Sequence, residues 1–140
     1  MSFAREGYPF IAIGVLLVGL GWVGVAAGIG GPWLRGMAGL FTLMSLFTIW
    51  FFRDPAPIVP ADAGAVVAPG QGKVISISEV DEPTFMGGTV RRITIFLSVF
   101  DVHVQRAPVS GLVEHRVYRP GKYLVAWNER ASEDNEQSSI

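Results

Sequence analysis

Asp101, His103 and Arg106 are the residues of this chain best equipped for chemistry, and they stand together directly after a run without charge. Imidazole and carboxylate are groups that handle protons, and a guanidinium suits phosphate oxygens. Asp101 and His103 are two residues apart, so an extended backbone points both side chains to the same face. A polar trio at the end of an apolar strand is where a site would be built. The plainer alternative is a strand that runs into a surface loop, with Arg106 in a surface ion pair.

The element that must deliver these residues is a strand predicted over 90–100. Ile93, Ile95, Leu97 and Val99 alternate onto one face, and β-branched and aromatic residues dominate. Pro108 stops any further ladder. Further strands are predicted over 65–68, 73–78, 111–118 and 123–127, separated by turns at Pro69-Gly70-Gln71-Gly72 and Arg119-Pro120-Gly121-Lys122. His115 lies in the strand predicted over 111–118 and is expected to be exposed. From residue 128 onward the chain is polar and reads as a flexible end.

The N-terminal third is of a different kind. After a polar lead containing Arg5 and Glu6, no charge occurs from Tyr8 to Gly31, and a second uncharged run follows from Gly36 to Phe52. Both are long enough to cross a bilayer core. A cleaved leader fits poorly, because a second apolar run follows at once. The domain scheme is therefore a transmembrane helical hairpin over 1–52 (helices about 8–31 and 36–52), a proline-rich connector over 53–64, and a β-rich domain over 65–140 that is incomplete. Gly24 and Gly28 suit close helix approach, and Trp22, Trp33 and Trp50 suit interfacial anchoring. Arg53, Lys73, Arg91 and Arg92 tip the β-rich part toward the cytoplasmic side of an inner or cell membrane.

Composition removes several classes of function. Half of the 140 residues are hydrophobic and only 16% are charged, too apolar for an ordinary small soluble domain. A net charge of −1 gives no basic footprint for nucleic acid. Without cysteine there is no disulfide or thiolate chemistry, and two histidines are a poor endowment for a metal.

Several segments then coincide in order: Phe51-Phe52-Arg53-Asp54-Pro55, Ala68-Pro69-Gly70-Gln71-Gly72-Lys73-Val74, and Ile95-Phe96-Leu97-Ser98-Val99-Phe100-Asp101-Val102-His103-Val104. After them come Arg106-Ala107-Pro108-Val109-Ser110-Gly111, Tyr118-Arg119-Pro120-Gly121-Lys122-Tyr123 and Ala131-Ser132-Glu133-Asp134-Asn135-Glu136. Over roughly residues 50–136 the chain resembles the short, membrane-anchored bacterial and archaeal form of phosphatidylserine decarboxylase. The resemblance implies a small lipoyl-like sandwich or barrel and the conversion of phosphatidylserine to phosphatidylethanolamine. It also implies a pyruvoyl cofactor, made when a proenzyme cleaves itself before a serine. The substrate amine condenses with that carbonyl as a Schiff base, which withdraws electrons as CO₂ leaves.

The resemblance makes His103 the histidine of an Asp-x-His motif, suited to reprotonating the product, and Asp101 its aspartate, suited to orienting the ring. Gln71 falls where self-cleaving members carry a relay aspartate, and an amide cannot carry that charge. Arg106 and Phe100 are assigned to substrate binding, Arg106 toward a headgroup phosphate. No residue here is expected to hold the cofactor, whose serine belongs to an α chain outside these residues. This chain is thus expected to be the β-side part. Its expected partners are the phospholipid bilayer with phosphatidylserine, its own α chain, and a second copy in a homo-oligomer. The alternatives are a non-processing pseudoenzyme and a membrane-anchored β-barrel interaction module without catalysis.

Overall fold

The computed structural model describes residues 2–62, 64–126, 128 and 130–140. It divides into two compact units. One is the chain up to Gly72 together with Leu97–Arg106; the other is Lys73–Phe96 with Ala107–Ile140. The site residues singled out above, including Gln71, thus belong to the unit that contains the helices.

The first unit is a helical hairpin with a pinned base. Helix α1 runs Tyr8–Ala26 and α2 runs Gly31–Phe51. At 1.5 Å per residue they are about 28 and 31 Å long, close to the roughly 30 Å of a bilayer's hydrocarbon core. Both are long and apolar enough to cross a membrane. They end and begin within a tighter turn than the expected 8–31 and 36–52. Gly28 and Gly30 take positive φ of 73° and 76°, and Pro32 starts α2 in its first turn. Arg35 therefore sits in the helix and not in the turn.

Small residues set the approach of the two helices. A Cβ on Gly21 would lie 3.2 Å from the Cβ of Ala38, one on Gly14 2.8 Å from Ser45 Oγ, and one on Gly24 3.1 Å from Leu34. The partners descend α2 as α1 ascends, the register of an antiparallel pair. Ala38 and Ser45 are buried by this contact. The outward faces are the reverse: Leu16, Leu20, Val23 and Leu43 are each more than 60% exposed. Across the seam Trp22 Nε1 donates to Thr42 Oγ1 at 3.1 Å, satisfying an indole N–H that an apolar surrounding would penalise.

The base of the hairpin is closed by strands that the sequence does not announce. Strand β1 (Ser2–Phe3) pairs antiparallel with β2 (Arg53–Asp54). The polar lead and the start of the proline-rich connector are thus ladder partners.

In the second unit, β3 (Lys73–Glu82) and β4 (Gly88–Phe96) form an antiparallel ribbon with a bulge between Val74 and Ser76. At its tip the Glu82 carboxylate accepts the backbone N–H groups of Met86, Phe85 and Thr84, which holds its pKa down at about 2. β5 (Val117–Arg119) pairs with β6 (Gln137–Ser139). The end expected to be flexible instead makes a short helix, α3 (Ala131–Asp134), and that strand. The Asn135 amide explains it: its Nδ2 and Oδ1 bond the carbonyl and N–H of Leu124 at 2.9 and 2.7 Å.

Several expectations change. The strand predicted over 90–100 ends at Phe96, and no strand forms over 65–68. The strand over 111–118 shrinks to Val117–Arg119, leaving His115 outside it, beside the Phe85 ring at 5.5 Å. The strand over 123–127 does not form at 123–126, while Trp127 lies outside the described residues. Nor is β4 a buried strand: Ile93 is 56% exposed, because its ribbon has only β3 beside it.

The helix seam yields a direct test. Gly21→Leu forces a side chain into Ala38 and should cost roughly 1–3 kcal/mol by overpacking, read as easier unfolding in mixed detergent micelles. Gly19→Leu, at a position with open space around it, should change stability little.

Candidate active site

The residues around His103 are held by local hydrogen bonds and by the end of α2, with no long strand behind them. After Leu97 the chain turns. The Asp101 N–H donates to the Ser98 carbonyl at 3.0 Å, and Asp101 Oδ2 accepts both the Ser98 N–H and the Ser98 hydroxyl at 2.8 Å. These bonds favour the ionised form. The Ser98 backbone bond, then its hydroxyl, hold the Asp101 carboxyl below the usual carboxylate range. The nearby Arg53 guanidinium and the His103 ring add to this. The Asp101 carboxylate is thus engaged by Ser98.

What meets the ring is the Asp101 backbone: His103 Nδ1 lies 3.0 Å from its carbonyl oxygen. A carbonyl can only accept, so this contact requires the proton on Nδ1. Among the described residues Nε2 has no hydrogen-bond partner, which leaves it to take up or deliver a proton. The face of the ring rests on Phe51, with centroids 4.5 Å apart and planes inclined by 30°. Phe51 meets Phe52 edge-on at 5.2 Å, and Phe52 stacks on Phe10 at 5.6 Å. An aromatic corner at the helix ends is therefore the platform for the imidazole.

Arg53 fastens the turn to that corner. Its Nη1 donates to the Trp50 carbonyl at 2.8 Å and its Nη2 to the Phe100 carbonyl at 2.6 Å, while the guanidinium lies 4.1 Å above the Trp50 ring. The last carbonyls of a helix lack helical partners, and basic side chains commonly serve them. Phe100 contributes this carbonyl, and its own side chain is largely exposed. Arg106 is fixed at both ends. Its backbone N–H donates to Pro69 at 2.9 Å, and its guanidinium is paired with the Asp54 carboxylate. Gln71 pairs through its backbone with Val102, which is buried. Position 71 is thus brought beside the Asp101–His103 segment, as the sequence alone does not require.

Beside these groups lies a cleft of roughly 710 Å³, lined among others by Arg5, Glu6, Tyr8, Phe51, Asp54 and His103. A proton-handling nitrogen at the wall of a cleft with aromatic and charged surfaces can serve acid–base chemistry on a small polar group. Among the described residues no cluster of three or more His, Asp or Glu is placed to hold a metal. Sequence reasoning missed Phe51 as the platform for the imidazole, Arg53 as the clamp and the N-terminal lead as a wall. The available signal was the Arg53-Asp54 pair set immediately after an aromatic, uncharged run.

Residues 44–140 match the family model described as phosphatidylserine decarboxylase. A phosphatidylserine decarboxylase proenzyme of Symbiobacterium thermophilum is 44% identical over 98% of this chain and 60% of its own length. One from Salinibacter ruber is 54% identical over 67% of this chain and 42% of its own length, and one from Carboxydothermus hydrogenoformans 43% over 97% and 60%. The chain thus spans about 60% or less of the length of these curated relatives. No solved structure matches it. With more than half of its residues inside that match, the chain belongs to the phosphatidylserine decarboxylase family.

Proposed function

We propose that this chain is the membrane-anchored β-side part of an enzyme that decarboxylates phosphatidylserine to phosphatidylethanolamine. The observation that carries the proposal is His103: Nδ1 committed to the Asp101 carbonyl, Nε2 uncommitted, and the ring stacked on Phe51 at a cleft by the helix ends. Outward-facing Leu16, Leu20, Val23 and Leu43 support a bilayer around the hairpin, which would bring the cleft to headgroup level. Arg53 at the same end as the cleft supports a cytoplasmic placement of that end. The apolar exposure of the β3–β4 ribbon supports its being one part of a larger lipoyl-like sandwich or barrel, the β-rich domain running over 65–140 after a connector over 53–64.

Decarboxylation leaves a carbanion that must be protonated, and an imidazole that can gain and give a proton at Nε2 fits a site of that kind. The family's pyruvoyl group, supplied by a serine of the α chain, provides the electron sink for loss of CO₂. His103 and Gln71 are the residues of this chain that would stand beside it. His103 takes a proton at Nε2 and returns it to the product, with Nδ1–H held on the Asp101 carbonyl throughout. Asp101 keeps that carbonyl in place by anchoring its carboxylate to Ser98, a positioning role. Phe51 fixes the plane of the ring and keeps water off one face. Arg106 acts through Asp54 to hold the end of the loop, and Phe100 lends its carbonyl to Arg53 and its exposed ring to the lipid side.

In the full-length enzyme, His103→Gln should lower turnover by about 10²–10⁴-fold while vesicle binding stays as in wild type. Unchanged turnover would remove the proposed role. The Asp101 turn gives a pH test with a defined sign. Its carboxyl is depressed in the folded state, so its hold on Ser98 is complete above its ordinary value of 3.8 and is lost as pH falls through the lower folded value. The protection factor of the Ser98 amide in hydrogen exchange should therefore fall in acid for wild type. In Asp101→Asn, which keeps an acceptor that does not titrate, it should stay level.

A further inference from the structure

The N-terminal lead is built into the cleft more firmly than a helix needs. Ser2 and Phe3 pair with Asp54 and Arg53, and the Ala4 N–H donates to the Phe52 carbonyl at 2.9 Å. The Gly7 N–H closes a tight turn on the Ala4 carbonyl at 3.0 Å. Gly7 is buried, and a Cβ there would strike the Phe52 ring. The Arg5–Gly7 turn is thus fixed against the same aromatic corner that carries His103. A lead that served only to enter α1 would require none of these contacts.

The charges of the cleft are unequally committed. Asp54 is neutralised by Arg106, and Arg53 is occupied by the carbonyls of Trp50 and Phe100. Among the described residues, Arg5 makes no ion pair and no side-chain hydrogen bond, although it lines the cleft with His103. It stands less than one turn before α1, the depth at which headgroups lie if the hairpin spans the hydrocarbon core. A guanidinium offers a planar fork that matches carboxylate and phosphate oxygens.

We propose that Arg5 is the headgroup-binding cation of this cleft and holds an anionic oxygen group, phosphate or carboxylate, of the lipid headgroup. The inference rests on the phosphatidylserine reading above and adds to it a residue that holds the substrate headgroup. The neighbouring Glu6 carboxylate suits a headgroup that also carries an ammonium group.

The test is calorimetric titration of the full-length protein in neutral detergent with dihexanoyl phosphatidylserine and dihexanoyl phosphatidylethanolamine. The proteins compared, all carrying His103→Gln so that the titrated lipid is not turned over, are wild type at positions 5 and 35, Arg5→Gln, Arg5→Lys and, at the far end of the hairpin, Arg35→Gln, all checked for equal helicity. Arg5→Gln should weaken phosphatidylserine binding about tenfold or more, the scale of a lost charge-assisted bond. Arg5→Lys should lose less, and Arg35→Gln should match wild type. Equal weakening for both lipids would identify the phosphate as the group held, and weakening for phosphatidylserine alone the carboxylate; either supports the inference. Phosphatidylserine binding by Arg5→Gln at wild-type strength overturns it and leaves the substrate reading standing. Wild type that binds neither lipid overturns both.

Discussion

Arg53 carries the connection on which the site depends. Its guanidinium joins a carbonyl in the last turn of α2 to the carbonyl of Phe100, just before Asp101, and lies over the Trp50 ring. A lysine could reach one of these partners but could not fork between them and stack at the same time. The stacking alone is worth about 0.5–1 kcal/mol where solvent reaches it. Its larger effect is geometric, because it fixes the turn that bears His103 to a helix whose own position is set by glycines. The chain of dependence runs from Gly14, Gly21 and Gly24, through the seam of α1 and α2, to Phe51 and Arg53, and so to the imidazole.

The way the imidazole is held differs from the usual arrangement in which a carboxylate faces it. The Asp101 carboxylate turns back to Ser98, and the backbone carbonyl of the same residue meets Nδ1. The arrangement decides the tautomer through a group that never titrates. The carboxylate still matters, because it stiffens the turn from which that carbonyl projects. A carbonyl at Nδ1 and Phe51 on one face bias the ring toward one orientation, which favours catalysis by positioning.

The helices were legible in the sequence because nothing local competes with an uncharged run of that length; only the turn was misjudged, since Gly28, Gly30 and Pro32 allow a shorter one. His103, Asp101, Gln71 and Arg106 were legible as a group through motif order, and the structure gathers them in one unit. Their manner of contact was not legible. Period-two reasoning carried the strand on toward Asp101 and His103, whereas the ladder ends at Phe96 and the Ser98 hydrogen bonds make a turn before Asp101. Two-residue strands such as β1 and β2 leave no periodic trace, so the pairing of Ser2 with Asp54 could be known only from the fold. The C-terminal strand depended likewise on one amide, Asn135, finding both backbone groups of Leu124.

The central claim is that the His103 imidazole lies at the level of the lipid headgroups. Dipolar recoupling between ¹⁵N-labelled histidine and lipid ³¹P in phosphatidylserine-containing bilayers measures this directly, with His103→Gln identifying the His103 signal by its loss. Strong dephasing of the His103 signal by phosphorus is the result predicted. A His103 signal untouched by phosphorus, in protein that is folded and inserted, would contradict it.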